Sequence, residues 1–434
     1  MAQEARIDVE LTLKGGETQP GEAELAELAA SLSPEVWFTT PRTAEVAAGR
    51  DPDQRWEDLP YGEAAVYLAN PKFGLQRPFL FADGFNYGPS DLPGLFGYFN
   101  TPYDGRPGFF DQLRQRGIDV VLIGFDERHA RIQRNAETVT AAVERAIAER
   151  LGDAPLTVGG VSMGGIITRY ALAKMEYDGI DHQTATYLSY DSPHNGAWIP
   201  LILQQMAYFF EDYTPPGPGG VKQADLIRSE AAQQLLWAWV ENSKYSGPVA
   251  TASPLRKEFL DDLARVGNFP RRPRLLGVSN GRRDGVGLPL PVGEVAFDWQ
   301  ALIASATARF QPERGDRQRI GGMHLGLALR RSTTTEVPAL DSAPGGTLDS
   351  FGKVADALKA KIADDHRSGT FVPAVSAAAL NFDPVQWNVV PTVSITDTDL
   401  ANGHLDEVGF DTDNTEHSHV SPVLIDWILD RITR

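Results

Sequence analysis

Short runs of apolar residues recur along the chain from about residue 77, and most of them end in a polar or glycine-rich turn. The runs cover residues 78–82, 119–124, 156–161, 184–190 and 274–278. Apolar runs of this length that are bounded by turn residues are typical of buried β-strands. The pattern therefore predicts five buried strands in this part of the chain.

Between these runs, the apolar positions follow a helical spacing. It covers residues 108–117, 132–151 and 163–175, and a last amphipathic stretch begins at Ser421-Pro422. Strands that alternate with helices pair in parallel through right-handed crossovers. We therefore predict an α/β fold with a doubly wound, mostly parallel sheet, whose reactive groups lie at the carboxyl ends of the strands.

Two long segments interrupt this alternation. Residues 195–272 contain three helix-like stretches, which are 201–213, 224–240 and 254–266. Residues 290–413 are mixed, with strand-like stretches at 306–310 and 325–331 and a helix at 348–365. We interpret the first segment as a helical cap over the carboxyl edge of the sheet. The chain is then expected to be a single domain over residues 1–434 with a cap insertion at 195–272 and a second mixed insertion at 290–413.

Composition narrows the chemistry. The 434 residues include no cysteine, which excludes disulfides, a thiolate nucleophile, a cysteine-ligated zinc site and an iron–sulfur cluster. A nucleophile must then be Ser, Thr, Lys or a carboxylate. The 58 acidic residues outnumber the 40 basic ones, and the net charge of −18 would repel a phosphate backbone, so nucleic acid is not an expected partner.

The chain contains no apolar run near the ~18 residues that span a bilayer, so we expect a soluble protein without a transmembrane segment. Its first residues carry acidic side chains and lack the apolar core of a secretory signal. A signal removed earlier would leave no trace. The sequence therefore leaves both the compartment and the oligomeric state open.

A candidate nucleophile lies at residues 160–164, where Gly-Val-Ser-Met-Gly fits the pattern G-x-S-x-G. The pattern alone is weak, because glycine is common in this chain. Here an apolar strand precedes it and a helix follows it, which is the context of a nucleophile elbow. We therefore predict that Ser162 is the nucleophile, with the positive end of a helix dipole beside it.

A serine hydroxyl needs a base, and with such an elbow the chain order is Ser, then Asp or Glu, then His. The histidine is expected in the loop before the last helix. We predict His419 as the base, because Val420 can anchor the loop beside it, with His417 as the alternative and His404 as a third candidate.

The acid that orients the imidazole is expected after the strand that follows the helical insertion. This places it in the turn at residues 280–285, and Asp284 is the predicted acid. Asp191, at the end of the preceding strand, is the alternative, since some lipases carry their acid there. Asp411 and Asp413, near the histidines, are further candidates.

An oxyanion hole requires two backbone N–H groups, one after the nucleophile and one from the loop after the early strand. Met163 and Phe85 occupy these positions. Asp83 precedes Gly84 where many lipases have histidine, so Asp83 either orients this loop or marks a departure from that motif.

Together, the segments Phe-Ala-Asp-Gly-Phe at 81–85, Gly-Val-Ser-Met-Gly-Gly at 160–165 and Tyr-Asp-Ser-Pro-His-Asn-Gly-Ala at 190–197 resemble those of α/β-hydrolase lipases and esterases. The resemblance covers about residues 77–284 and the final helix. It implies a cofactor-independent serine hydrolase that cleaves carboxylic esters through an acyl-enzyme. The alternatives are an acyltransferase or amidase with the same triad, and a non-catalytic hydrolase-fold binding protein.

The predicted cap is rich in aromatic residues, which suits a hydrophobic or polyester-like ester, either a small molecule, a lipid or a polymer. We single out Trp198 and Phe209 as substrate contacts, although core packing is the commoner role for any one such residue. The acidic tract at residues 397–413 does not fit the spacing of an EF-hand loop, so we predict a solvated loop and no metal site.

Overall fold

The computed structural model describes residues 5–13, 15, 19–32, 50–214, 216–217, 220–242, 247–250 and 252–433. The strands are β1 (Arg6–Leu13), β2 (Gln54–Leu59), β3 (Gly62–Tyr67), β4 (Pro78–Ala82), β5 (Asp119–Phe125), β6 (Leu156–Val161), β7 (Thr184–Tyr190), β8 (Gly247–Ala250), β9 (Arg274–Ser279), β10 (Val295–Gln300), β11 (Ala304–Arg309), β12 (Gln318–Leu325), β13 (Ala328–Thr335), β14 (Gly345–Leu348), β15 (Gly369–Pro373) and β16 (Glu407–Phe410). The helices are α1 (Glu22–Ser31), α2 (Leu92–Phe99), α3 (Phe109–Gln115), α4 (Ile132–Glu149), α5 (Met163–Tyr177), α6 (Leu201–Phe209), α7 (Gln223–Arg228), α8 (Glu230–Leu235), α9 (Pro254–Arg265), α10 (Ser350–Leu358), α11 (Ala374–Ala377), α12 (Asp397–Ala401) and α13 (Pro422–Ile432).

The main sheet has eight strands in the order β16-β9-β7-β6-β4-β5-β3-β2. Neighbouring strands from β16 to β5 are parallel, whereas β3 is antiparallel to both β5 and β2. All five predicted strands belong to this sheet, and the predicted α/β class with a mostly parallel sheet is confirmed.

Helices cover both faces of this sheet, which explains its continuous apolar strands. Every residue of β4 and β5 is buried. Alternate side chains point to opposite faces. Leu80 packs in one hydrophobic cluster with α4 and α5, whereas its neighbours Phe79 and Phe81 pack in another with α2, α3 and α13. Two-sided burial thus removes the apolar–polar alternation of a half-exposed strand.

A second, antiparallel sheet has the strand order β10-β11-β12-β13-β1-β8. Its strand β1 pairs with β13 along its whole length, from Arg6 opposite Thr335 to Leu13 opposite Ala328. The predicted strand at 325–331 is correct only in part, because residues 328–331 belong to β13 whereas residues 326–327 form the turn from β12, where Gly326 has a φ of 53°. The predicted helix at 348–365 is shorter and covers only α10.

The segment predicted as a cap contains α6, α7, α8 and α9. The predicted helix at 224–240 divides at Ser229, which ends α7 and caps α8 by accepting a hydrogen bond from the Ala232 amide. Residues of α6 share one hydrophobic cluster with the second sheet, including Met206 and Trp299. Strand β16 lies within the range predicted as the second insertion, yet it pairs with β9 in the main sheet.

Candidate active site

Ser162 lies on a sharp turn between β6 and α5, with φ 55° and ψ −127°. Few residues adopt this backbone conformation, and such strain is commonly found at functional sites. The two flanking glycines make the turn possible. A Cβ atom on Gly160 would lie 2.4 Å from the Gly164 carbonyl carbon, and one on Gly164 would lie 2.3 Å from the Ala82 oxygen. The G-x-S-x-G pattern is therefore required by the close packing of three backbone segments.

Three side chains form a continuous hydrogen-bonded chain at this turn. The His417 Nε2 atom lies 2.8 Å from the Ser162 Oγ atom, and His417 Nδ1 lies 2.7 Å from Asp191 Oδ2. The other carboxylate oxygen of Asp191 accepts a hydrogen bond from the backbone N–H of Asn280 at 3.0 Å. All three side chains are buried. With its Nδ1–H directed at the carboxylate, the imidazole presents Nε2 as the acceptor for the serine proton.

His419, the predicted base, lies elsewhere. It is exposed, whereas His417 is buried and its backbone N–H donates to the Thr347 carbonyl at 2.8 Å. Between the two histidines, Ser418 has a φ of 66°, so the chain reverses direction there. The prediction that His419 contacts Ser162 is wrong, and the alternative, His417, makes this contact.

Asp284, the predicted acid, does not contact the histidine, so this prediction is also wrong. It is exposed on the turn after β9 and pairs with the Arg282 side chain, whose hydrogen bonds lower the pKa of Asp284 to about 2. Asp191 follows directly on β7, and its own hydrogen bonds place it beside the histidine. The alternative acid is therefore the one in contact with the imidazole.

The remaining candidates have other surroundings. The ring of His404 stacks on Phe269 with the ring centroids 5.0 Å apart. Asp411 accepts a hydrogen bond from the Ser421 hydroxyl at 3.0 Å, and Asp413 is exposed. None of the contacts described for these residues involves Ser162 or His417.

The two predicted oxyanion donors flank the serine. Met163 is the first residue of α5 and directly follows Ser162. Phe85 directly follows Gly84, where the loop passes close to the serine: a Cβ atom on Gly84 would lie 3.1 Å from the Ser162 Cβ atom. Among the described residues, neither the Phe85 nor the Met163 amide donates to another protein atom. Phe85 also lines the cavity at the serine, whereas Met163 is completely buried.

Asp83 orients this loop. Its side chain is completely buried, and Oδ1 accepts a hydrogen bond from the Gly84 amide at 2.8 Å. Oδ2 lies 3.4 Å from Nη1 of Arg128, which is also buried. Of the two sequence-based interpretations of Asp83, these contacts favour the one in which it orients the loop.

A cavity opens in front of the serine. Ser162 and His417 lie on its wall, together with the Asp83–Arg128 pair. Most of the remaining lining residues are apolar or aromatic: Phe85, Leu95, Tyr98, Phe99, Val161, Leu348 and Phe371. The cavity therefore offers both apolar surface and polar groups to a bound molecule.

The two residues predicted to contact substrate lie outside this wall. Trp198 is buried, and its indole N–H donates to Asp341 Oδ1 at 2.6 Å. Phe209 packs against Phe210 in the hydrophobic cluster beneath the second sheet. Both residues belong to the hydrophobic core that the cap segment shares with the second sheet, so their positions do not support a role as substrate contacts.

The described residues include no group of three His, Asp or Glu side chains that could hold a metal ion. In the acidic tract, Asp397 pairs with Arg283. No helix in the described part of the chain has the length and hydrophobicity to cross a bilayer.

The strand order of the main sheet and the serine on a strand-to-helix elbow at its carboxyl edge define an α/β-hydrolase fold. No protein-family model matches the sequence, and no curated protein matches it.

Among solved structures, the chain is similar to three esterases and lipases. With the mature lipase of Bacillus licheniformis, the identity is 16%, the TM-score is 0.27, and the match covers 47% of this chain and 66% of the lipase. With a Pyrobaculum calidifontis esterase, the values are 12%, 0.30, 59% and 69%. With a thermostable carboxylesterase from a metagenomic library, they are 13%, 0.28, 58% and 82%. The chain thus spans slightly less than two thirds of the Bacillus lipase, and its fold is defined by its own strand order.

Proposed function

We propose that this protein is a serine hydrolase of carboxylic esters, with Ser162 as nucleophile, His417 as general base and Asp191 as the group that orients it. The observation that carries this proposal is the buried chain of hydrogen bonds from Asp191 through His417 to Ser162, which ends at an open cavity. Such a chain supplies the base and the correct tautomer that a serine hydroxyl needs at neutral pH.

The reaction follows from the positions of these groups. Ser162 Oγ attacks the ester carbonyl carbon while its proton passes to His417 Nε2, and the imidazolium is stabilised by Asp191. The tetrahedral oxyanion accepts hydrogen bonds from the Phe85 and Met163 amides. Its collapse breaks the bond to the alcohol oxygen, which takes the proton from His417. Water, deprotonated by the same base, then attacks the acyl-enzyme and releases the acid and Ser162.

The substrate in this proposal is an ester with a hydrophobic or polyester-like acyl group. The apolar residues that line the cavity at Ser162 support this choice of substrate. Amide hydrolysis and acyl transfer would use the same three side chains. Amide hydrolysis differs from ester hydrolysis in its leaving group, an amine, and acyl transfer differs in its acceptor, a second alcohol in place of water.

A fluorophosphonate probe tests the proposal directly. We expect one probe molecule to attach per chain, and no labelling in Ser162→Ala. Ser189→Ala is a matched control, because Ser189 also hydrogen-bonds to a histidine, His194, at 3.0 Å but is fully buried. This control should be labelled like the native protein. A folded native protein that takes up no probe would contradict the enzyme proposal and favour a non-catalytic binding protein.

Parallel assays on p-nitrophenyl esters and matching anilides, with and without an added alcohol, then define the reaction. Ester hydrolysis well above anilide hydrolysis supports an esterase. Faster anilide cleavage would identify an amidase instead. If the ester of the added alcohol is the main product even when that alcohol is dilute, the protein is an acyltransferase.

A further inference from the structure

A second cavity lies directly behind the reaction cavity. It is lined only by apolar residues, among them Ile199, Leu226 and Ala232 from the cap segment. Two residues, Phe85 and Phe371, line both cavities. These two side chains therefore form the partition between the space at Ser162 and an apolar space under the cap.

Of these two residues, Phe371 is the one whose ring contacts the proposed base, His417. It belongs to β15, and its ring meets that of His417 edge to face with the centroids 4.9 Å apart. The ring is only partly buried, in contrast to the fully buried aromatic residues of the core. The Phe371 side chain is therefore exposed in part to the space between the two cavities.

The backbone of Phe371 is firmly held. Its carbonyl oxygen accepts a hydrogen bond from the Trp198 amide at 2.8 Å, and the Trp198 indole donates to the buried Asp341. These contacts join β15 to the start of the cap. The position of the backbone is therefore fixed by the tertiary structure, and shortening the side chain would open the partition without releasing the strand.

We propose that Phe371 is a specificity-determining residue that limits the length of the acyl chain, and that the apolar cavity behind it accepts longer chains once the ring is removed. This inference rests on the proposed ester-hydrolase function. The acyl group is assigned to this cavity because it stays on Ser162 after the alcohol has left, so it can occupy an apolar space beside the serine, whereas the alcohol must return to solvent.

The test compares kcat/KM for p-nitrophenyl esters with acyl chains of increasing length. We expect the native protein to prefer short chains and Phe371→Ala to favour longer ones. The gain should be about fourfold per additional methylene group until the cavity is full, which corresponds to about 0.8 kcal/mol per buried CH₂. Phe371→Leu, which keeps an apolar side chain in the core, should shift the preference in the same direction by less.

Two further variants make the result specific. Ala232→Leu narrows the second cavity from the side of α8, so adding it to Phe371→Ala should cancel the gain for long chains. Phe382→Ala is the matched control, because Phe382 is also a partly buried aromatic residue of the same hydrophobic cluster but lines neither cavity. It should leave the chain-length preference unchanged.

Labelling by a small fluorophosphonate separates this inference from the proposed function. If the native protein is not labelled, the hydrolase proposal itself fails. If the native protein and the Phe371 variants are labelled but share one chain-length profile, only the role of Phe371 is overturned. A shift that occurs in a series of alcohol groups, with the acyl group kept constant, would also overturn the assignment of the cavity to the acyl chain.

Discussion

His417 and His419 stand two positions apart, yet the ring of His417 contacts Ser162 at 2.8 Å while the side chain of His419 is exposed. We expect His417→Ala to lower kcat by about 10⁴-fold or more, because the serine loses its general base. His419→Ala, the matched control, should stay within a few-fold of the native rate. Steady-state kinetics on an activated ester measure both. Equal losses in the two variants would contradict the placement of the base.

The two candidate acids allow a similar comparison. Asp191→Asn keeps the shape of the side chain but removes the charge that holds the His417 Nδ1–H, so we expect kcat to fall by about 10⁴-fold with little change in KM. Asp284→Asn removes only an exposed ion pair with Arg282 and should leave both constants unchanged. A large loss of activity in Asp284→Asn, with full activity in Asp191→Asn, would reverse the assignment.

The sequence predicted the serine more accurately than its partners. Ser162 lies in a local pattern, since the glycines and the flanking strand and helix are all within a few residues of it. The base and the acid depend on contacts between distant segments, such as the hydrogen bond from the His417 amide to Thr347. Local rules placed His417 and Asp191 among the candidates but could not rank them first.

At the scale of elements, a short strand decides which histidine points inward. Thr347, in β14, forms an isolated parallel bridge with Glu416, the residue before His417. The same strand pairs with β15, which carries Phe371. Strand β14 could not be predicted, because four residues with two glycines have neither the length nor the side chains of a recognisable strand.

The loop after β4 depends on the buried Asp83–Arg128 pair. We expect Asp83→Asn to lower the free energy of unfolding by about 3–5 kcal/mol, since breaking a buried ion pair leaves its partner in a poorly solvated site. It should also lower kcat, because the Gly84 amide is held by the Asp83 carboxylate next to the proposed oxyanion donor Phe85. Chemical denaturation and ester kinetics measure the two effects.

The control for this prediction is Asp426→Asn. Asp426 also pairs with an arginine, Arg106, but both side chains are exposed, so the midpoint of unfolding and the kinetics should not change. An Asp83→Asn protein with native stability and native kcat would show that the pair does not hold the loop.

At the scale of the whole molecule, the pairing of strands in the second sheet could not be predicted from local sequence patterns. Its strand β1 comes from the N-terminal region and pairs with β13, more than 300 residues away. The partner of a strand is set by the tertiary fold, and no pattern within β1 identifies β13. Five strands of the main sheet were predictable because βαβ units connect them, whereas β2, β3 and β16 were not predicted.

Asp341 joins the cap segment to the chain that follows β11 of the second sheet. One carboxylate oxygen accepts the Trp198 indole N–H and the other accepts the Gln311 amide. Complete burial raises the pKa of this carboxyl from 3.8 to about 6, although both hydrogen bonds act in the opposite direction. The folded protein therefore binds a proton at Asp341 at a higher pH than the unfolded chain does.

This difference predicts a pH dependence of stability with a definite sign. As the pH falls from 7 to 4, Asp341 takes up its proton first in the folded state, so its contribution to the free energy of unfolding increases by up to about 3 kcal/mol. Asp341→Asn cannot take up this proton, whereas the other titrating groups are common to both proteins and cancel in the comparison. Urea denaturation of both proteins between pH 4 and pH 7 should show the native protein gaining stability relative to the variant at low pH. Two stability curves that stay parallel over this range would show that Asp341 has an ordinary pKa and that the contact between cap and second sheet does not depend on its charge.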